Sequence, residues 1–192
     1  MPENKIRYGI KNVHYAIATI AADGSATFGT PKAFPGAVSL SLSAEGERSP
    51  FYADNIEYWV GAANNGYSGS LEVARIIDDF AKDVLGEIED SKHVLYEDAD
   101  AGAVHFALIF QFEGDVNATR HVLYNCTAAR PNIEGTTKGE SIEPATETID
   151  ISAASIWVDA LGKNIVKAKT TADTSTADYN SFLTAVYVPS AT

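Results

Sequence analysis

The sequence predicts a mainly β fold, a β-sandwich or partial barrel with one or two short peripheral helices. Apolar residues alternate with polar ones in several segments, which is the period of a strand with one buried face. Turn-forming residues separate these segments, and the stretches with helical spacing are short. A chain of 192 residues can bury a core that needs no metal or disulfide. We therefore predict one domain over residues 1–192.

The clearest strand pattern is a hairpin of two long segments, 104–112 and 119–128. Every second residue of the first segment is apolar, from Val104 to Phe112, and a glycine-containing connector links it to the second segment. The residues of the second segment that we expect on one face are Val122, Tyr124 and Cys126.

Other segments complete a count of about eight strands. The turn-forming motif Asn64-Asn65-Gly66 predicts a turn between two of them, because Asn and Gly tolerate positive φ. Serines alternate with apolar residues from Val38 to Ser43. The remaining predicted strands are 13–20, 26–28, 56–60, 67–76, 147–151 and 165–169.

Two helices and two long loops interrupt the strands. Asp78 is a suitable cap for a helix over 79–85, and Ser175 with Asp178 resembles a capping box for a C-terminal helix over about 176–187. The loops are 44–55 and 130–146. Loops of this length in a compact domain are usually functional, so we expect them to make interactions.

Charge and composition exclude several classes of protein. The net charge of −12 disfavours binding to nucleic acid, because affinity for phosphates comes mainly from Lys and Arg. Cys126 is the only cysteine, which excludes an internal disulfide. No apolar run is long enough for a membrane helix, and the charged start MPENKIRYG predicts no secretory signal.

No motif predicts catalysis, a cofactor or a metal. Gly66-Tyr67-Ser68-Gly69 departs from the nucleophile elbow, since Ser70 stands where its last glycine belongs. Glu113 and Asp115 flank a glycine at a predicted hairpin tip, where carboxylates are usually fully hydrated and are therefore poorly suited to act as a general acid. We therefore predict that the chain is not an enzyme.

A set of short motifs runs through the first three quarters of the chain. In order they are Tyr8-Gly9-Ile10-Lys11-Asn12-Val13-His14-Tyr15-Ala16, Pro35-Gly36-Ala37-Val38-Ser39-Leu40, Phe51-Tyr52-Ala53-Asp54-Asn55, Asn64-Asn65-Gly66-Tyr67 with Leu71-Glu72, Asp78-Asp79-Phe80 with Val84-Leu85-Gly86, Phe106-Ala107-Leu108-Ile109-Phe110, Gly114-Asp115, and Arg120-His121-Val122-Leu123-Tyr124-Asn125-Cys126. In this order and spacing they resemble the major tail proteins of siphophages over residues 6–150.

The resemblance implies a structural protein of a long non-contractile phage tail. Its β-sandwich subunits form hexameric rings, whose strands join into a continuous inner β-barrel, and the rings stack around a tape-measure protein. Tail-end proteins are further implied partners, and DNA passes through the lumen without specific binding. The implied location is the tail of the virion, which is assembled in the cytoplasm of the host bacterium. The resemblance implies no membrane partner, no cofactor and no catalytic residue.

Two surfaces follow as hypotheses. The 104–128 hairpin lines the lumen, with Glu113 and Asp115 as its acids, so that an acidic wall repels DNA. The long loops make inter-subunit or inter-ring contacts, and the helix over 79–85 lies on the outer wall. The contact residues are Arg48, Phe51, Tyr52, Asp54 and Ile133.

A second reading of the same residues is a carbohydrate-binding β-sandwich of a virion or cell surface. Tyr58, Trp59 and Tyr67 flank the predicted turn and are suited to stack on sugar rings. This reading requires the three rings to form one exposed platform on a stable monomer.

Overall fold

The computed structural model describes residues 3–137 and 144–190, and it confirms the mainly β class with two short helices. The helices are α1 (Asp78–Asp83) and α2 (Thr176–Ser181). The strands are β1 (Arg7–Ile20), β2 (Ala26–Phe28), β3 (Lys32–Ala33), β4 (Ala37–Glu45), β5 (Arg48–Ala53), β6 (Ile56–Ala62), β7 (Gly66–Val73), β8 (Glu87–Glu89), β9 (Leu95–Glu97), β10 (Phe106–Gly114), β11 (Thr119–Ala128), β12 (Glu147–Ala154), β13 (Ile156–Val158), β14 (Lys163–Ile165) and β15 (Lys167–Lys169).

One large antiparallel sheet carries the fold, in the order β2-β1-β10-β11-β12-β7-β4. β3 pairs with β1, and β15 pairs with β11 beyond the end of β12. β1 and β4 lie far apart in this order, yet they contact each other. The sheet therefore curls into a partial barrel, and three short hairpins stand outside it: β5–β6, β8–β9 and β13–β14.

The two faces of the sheet enclose two cores. The inner core lies inside the curl and includes Tyr15, Leu71, Phe106 and Ile149 from four different strands. The outer core lies behind β1, β10 and β11, where β2, β13 and the region of α2 cover them. Burial of apolar surface on both sides stabilises the fold by roughly 25 cal/mol per Å².

The predicted hairpin of two long strands is confirmed as β10 and β11, but its faces differ from the prediction. All residues from Phe106 to Gln111 are buried, because β10 is sandwiched between the two cores. In β11 a register shift separates the pair Phe106–Cys126 from the pair Leu108–Leu123. An extra residue in one strand reverses the side-chain alternation. Cys126 therefore lies in the inner core, whereas Val122 and Tyr124 lie in the outer one.

α1 closes one end of the inner core with an aromatic cluster. The Phe80 ring stacks on Phe34 at 4.6 Å between centroids and meets Tyr15 edge-on at 5.0 Å. The Tyr15 hydroxyl donates to Asp83 at 2.8 Å, and Lys32 pairs with the same carboxylate. Partial burial opposes ionisation of Asp83, but the bonds from Lys32 and Tyr15 outweigh it and lower its pKa.

Two predictions about the middle of the chain were wrong. Residues 44–55 are not an irregular loop, since β5 occupies Arg48–Ala53. The turn predicted at Asn64-Asn65-Gly66 does not form either: β6 pairs with β5 and β7 pairs with β4, so the chain continues in one direction from β6 into β7. Two backbone hydrogen bonds join the β5–β6 ladder to the β4–β7 ladder. The N–H of Ala63 donates to the carbonyl of Glu47, and the N–H of Asn65 donates to the carbonyl of Glu45. Together β4–β7 form one long ribbon that turns back at residues 54–55.

The C-terminal part follows the prediction more closely. Ser175 caps α2 as expected, but the helix ends at Ser181, and turns carry the chain onward to place Phe182 in the outer core. The loop 130–146 contains no strand or helix in its described residues, and 138–143 lie outside them.

Candidate assembly surfaces

The distal half of the long ribbon projects from the large sheet as an arm, which we define as residues 48–62. Only β5 and β6 pair within it. Asp54 and Asn55 both have positive φ, 53° and 62°, as a tight two-residue hairpin turn requires. At about 3.3 Å per residue the arm is roughly 20 Å long. An isolated two-stranded hairpin is at best marginally stable in water, so a partner that covered the arm would stabilise it.

Apolar side chains cover the arm although it is exposed. Phe51 and Trp59 face each other across the strands, with 59% and 60% of their surface accessible. The Trp59 indole extends over Gly61, where an added Cβ would lie 2.6 Å from the ring. Tyr52, Ile56 and Tyr58 are equally exposed, with accessible fractions of 60% or more. Such a concentration of exposed large apolar side chains on one ribbon is typical of an interaction site.

The predicted contact residues fall into two places. Arg48, Phe51, Tyr52 and Asp54 come together on the arm, where Arg48 pairs with Glu57 at 2.5 Å. Ile133 is fully exposed but lies outside the arm, in the segment after β11. The arm itself was not predicted, because its turn is Asp54-Asn55 and no glycine marks it.

A second surface is the outer face of β4, β7 and β12. Paired residues of neighbouring strands share a face, and the register aligns polar residues in three rows of three across these strands. Apolar residues such as Leu40, Leu71 and Ile149 alternate with them and face the inner core. We call this surface the polar panel; its rows are Ser39, Glu72 and Thr148, then Ser41, Ser70 and Asp150, then Ser43, Ser68 and Ser152.

The polar panel is acidic and holds no basic side chain at its nine positions. Hydrogen bonds from Thr146 and Ser39, at 2.7 and 2.8 Å, lower the pKa of Glu72 and keep it ionised. Only the serines of β4 were visible as a pattern in the sequence, because their alignment with the residues of β7 and β12 depends on long-range strand register.

The acids predicted for the lumen, Glu113 and Asp115, are both engaged within the chain. Glu113 pairs with Lys11, and Asp115 accepts hydrogen bonds from the backbone N–H groups of Lys5 and Ile6 at 2.8 and 3.4 Å. Both strands of their hairpin lie between the two cores, so only its tip is available to a channel. The hypothesis that the 104–128 hairpin lines a lumen therefore stays a prediction, and its exposed part is the tip that carries these two acids.

A third surface combines cations with aromatic rings where β1 begins, β10 ends and β11 begins. His121 stacks on Phe110 at 5.1 Å and meets Phe112 edge-on, and the Arg7 guanidinium lies 5.1 Å from the Phe112 centroid. Lys169 is the cross-strand neighbour of His121. Burial and the charges of Lys169, Arg7 and Lys167 lower the pKa of His121 to about 4.

The depressed pKa of His121 predicts a pH-dependent stability. In the unfolded chain the His121 imidazole becomes protonated as the pH falls below its ordinary pKa of 6.5. In the folded chain it becomes protonated only near pH 4. The free energy of unfolding is therefore unaffected above pH 6.5 and falls between pH 6.5 and 4. Partial solvation of the ring limits the loss to about 1–2 kcal/mol. Urea unfolding at stepped pH measures it.

The matched control for this pH dependence is His121→Gln, which cannot titrate. Its stability relative to wild type should rise by the same amount between pH 6.5 and pH 4, because other titrating groups act equally on both chains. A difference that stays constant over this interval would contradict the role of His121.

The three aromatic residues of the carbohydrate reading do not form one platform. Tyr58 and Trp59 are exposed on the arm, but Tyr67 lies at the start of β7 and is only partly exposed. The Lys167 ammonium covers its ring at 4.4 Å from the centroid. A sugar stacked on Tyr67 would have to displace this cation.

Comparisons and searches for other chemistry give no further lead. No protein-family model matches the chain, and a search of curated proteins finds no significant match. Within residues 3–137 and 144–190, no group of three His, Cys, Asp or Glu side chains is arranged to hold a metal ion. Neither described helix has the length and apolar character needed to cross a membrane.

Proposed function

We propose that this chain is the major tail-tube subunit of a long non-contractile phage tail, a structural protein whose activity is self-assembly. Copies form hexameric rings that stack into a tube around a tape-measure protein, with tail-end proteins at its ends. DNA later passes through the channel. The family resemblance in the sequence suggests this function, and the surfaces of the structure support it by their chemistry.

The arm is the observation that carries the proposal. It exposes several large apolar side chains on a two-stranded ribbon that contacts little of its own domain. Burying such side chains against a neighbouring copy stabilises both partners, and aromatic residues dominate the energetics of most interfaces. We place the ring-to-ring or subunit-to-subunit contact here, at Phe51, Tyr52 and Trp59, instead of in an irregular loop.

The open edge of the large sheet supports closure by identical copies. β4 pairs with β7 along one edge, and no described strand forms a ladder with its other edge. An unpaired edge readily adds a strand from another chain. A rotationally repeated contact of this kind closes a ring.

The polar panel is the surface that we assign to the channel wall. It lies on the strands next to the open edge, and it combines carboxylates with small hydroxyls. A wall without Lys or Arg gives DNA no phosphate anchor, and repulsion from carboxylates acts over about 10 Å at 0.1 M salt. α1 closes one end of the inner core and contributes no residue to the panel, so its location on the outer wall remains a prediction.

Light scattering and negative-stain microscopy of purified, concentrated protein test the proposal. We expect rings or tubes with a central channel, in equilibrium with the 20.5 kDa chain. A chain that stays monomeric at high concentration and binds an oligosaccharide would instead support the carbohydrate-binding reading.

A further inference from the structure

The surface around His121 contrasts with the rest of this acidic chain. Elsewhere most cations are neutralised locally: Lys11, Lys32, Arg48, Arg75, Lys82 and Arg130 each pair with a carboxylate. Seven cations among the residues described pair with no carboxylate: Lys5, Arg7, Lys92, Arg120, Lys163, Lys167 and Lys169. Of these, Arg7, Lys167 and Lys169 lie around His121. We call these three residues, with the rings of Phe112, His121 and Tyr67 beside them, the cationic patch.

The fold keeps these cations together. Lys167 and Lys169 are alternate residues of β15, so both are exposed on one face while Ala168 packs into the outer core. β15 pairs with β11 and aligns Lys169 with His121. Lys167 lies two residues along the same ladder, opposite Leu123, and the Arg7 guanidinium lies over the Phe112 ring that meets His121 edge-on. Like charges held together destabilise one another, and an anionic partner would relieve this repulsion.

An anionic surface with matching apolar character lies at the other end of the molecule. Residues 87–100, the β8–β9 hairpin and the turn after it, carry six carboxylates and one lysine, a formal charge of −5. Ile88 and Tyr96 are cross-strand neighbours on this hairpin, and both are exposed. The aliphatic stems of lysines and the rings of the patch can pack on such residues.

The positions of the two surfaces suit a head-to-tail contact. The cationic patch lies near the start of β11, at residues 121–123, whereas Arg130, just after the end of β11, holds the hairpin through Glu97 at 2.6 Å. Nine residues of strand separate these points by about 30 Å. Complementary surfaces at opposite ends of one chain join identical copies in series.

We propose that the cationic patch of one copy docks the acidic β8–β9 hairpin, residues 87–100, of the next copy. This contact rests on the proposed self-assembly and adds a second, electrostatic interface to that of the arm. Charge complementarity fixes the orientation and register of successive copies more than it adds affinity.

Zero-length cross-linking of mixed isotopic assemblies tests the docking in the wild-type chain. Unlabelled and ¹⁵N-labelled protein are combined, allowed to assemble and treated with a carbodiimide. We expect cross-links from Lys167 and Lys169 to carboxylates within 87–100, in pairs of mixed isotopic origin. Lys163 is the internal control, and we expect no such cross-link from it. It is exposed on β14, a strand of the β13–β14 hairpin that packs on the outer core.

Charge reversal provides the second test. Lys167→Glu with Lys169→Glu should raise the concentration needed for assembly at least about tenfold, whereas Lys163→Glu should leave it unchanged. Asp98→Lys with Asp100→Lys, added to the double variant, should restore assembly in part. Circular dichroism verifies that each variant is folded.

The outcomes separate this docking from the proposed function. Tubes that form without the predicted cross-links, and that tolerate the reversed lysines, would overturn the docking and leave the tube. A wild-type chain that never associates would defeat both. Protection of Lys167 and Lys169 by double-stranded DNA at 0.15 M salt would assign the patch to nucleic acid and overturn the docking.

Discussion

Replacing Phe51 and Trp59 together by serine should abolish tube formation and leave a folded monomer. Each ring exposes about 60% of its surface in the free chain, so its loss costs the fold little, about 0.5 kcal/mol or less. An aromatic residue buried in an interface typically contributes about 2 kcal/mol or more. Two such losses correspond to at least a 100-fold rise in the concentration required for assembly. Light scattering across a concentration series measures it.

The matched control for the arm is Val116→Ser. Val116 is an exposed apolar residue at the tip of the β10–β11 hairpin, away from the arm. Its replacement should change neither assembly nor stability. Normal tubes from the Phe51→Ser, Trp59→Ser double variant would show that the arm is not an interface, and we would abandon its role.

Phe80→Ala should cause a large loss of folding stability, about 3–5 kcal/mol. The ring is fully buried and contacts Phe34, Tyr15 and Phe106 with centroid separations of 4.6, 5.0 and 5.7 Å. Its removal deletes apolar burial and leaves a cavity that a β-sheet core fills poorly. Urea unfolding at constant pH measures the loss.

The control for Phe80 is Phe51→Ala, the same substitution on the exposed arm. It should change the free energy of unfolding of the monomer by no more than about 0.5 kcal/mol. A loss below 1 kcal/mol for Phe80→Ala would contradict the placement of α1 over the end of the inner core.

The local patterns of the sequence predicted the elements of this fold better than their faces. Alternation located β10 and β11, and the capping residue Ser175 located the start of α2. Alternation also suggested that β10 had one exposed face. Ala107 and Ile109 on that face are instead buried in the outer core. The bulge that moves Cys126 to the inner core has no local signal, because it arises from pairing with β10.

The candidate surfaces were only partly predictable for the same reason. Phe51 and Tyr52 were recognisable as apolar residues among turn-formers, which led to an expected loop where the chain forms a ribbon. Asp54 and Asn55 adopt the positive φ that the hairpin turn requires, without the glycine that usually signals it. The polar panel and the cationic patch each combine residues distant in sequence, which only strand register brings together.

The most direct measurement is electron cryomicroscopy of assemblies grown from the wild-type chain. We expect a tube in which the arm of each copy lies against its neighbour and the polar panel faces an acidic channel. Arms that extend freely into solvent, or a channel lined by Lys and Arg, would contradict the account.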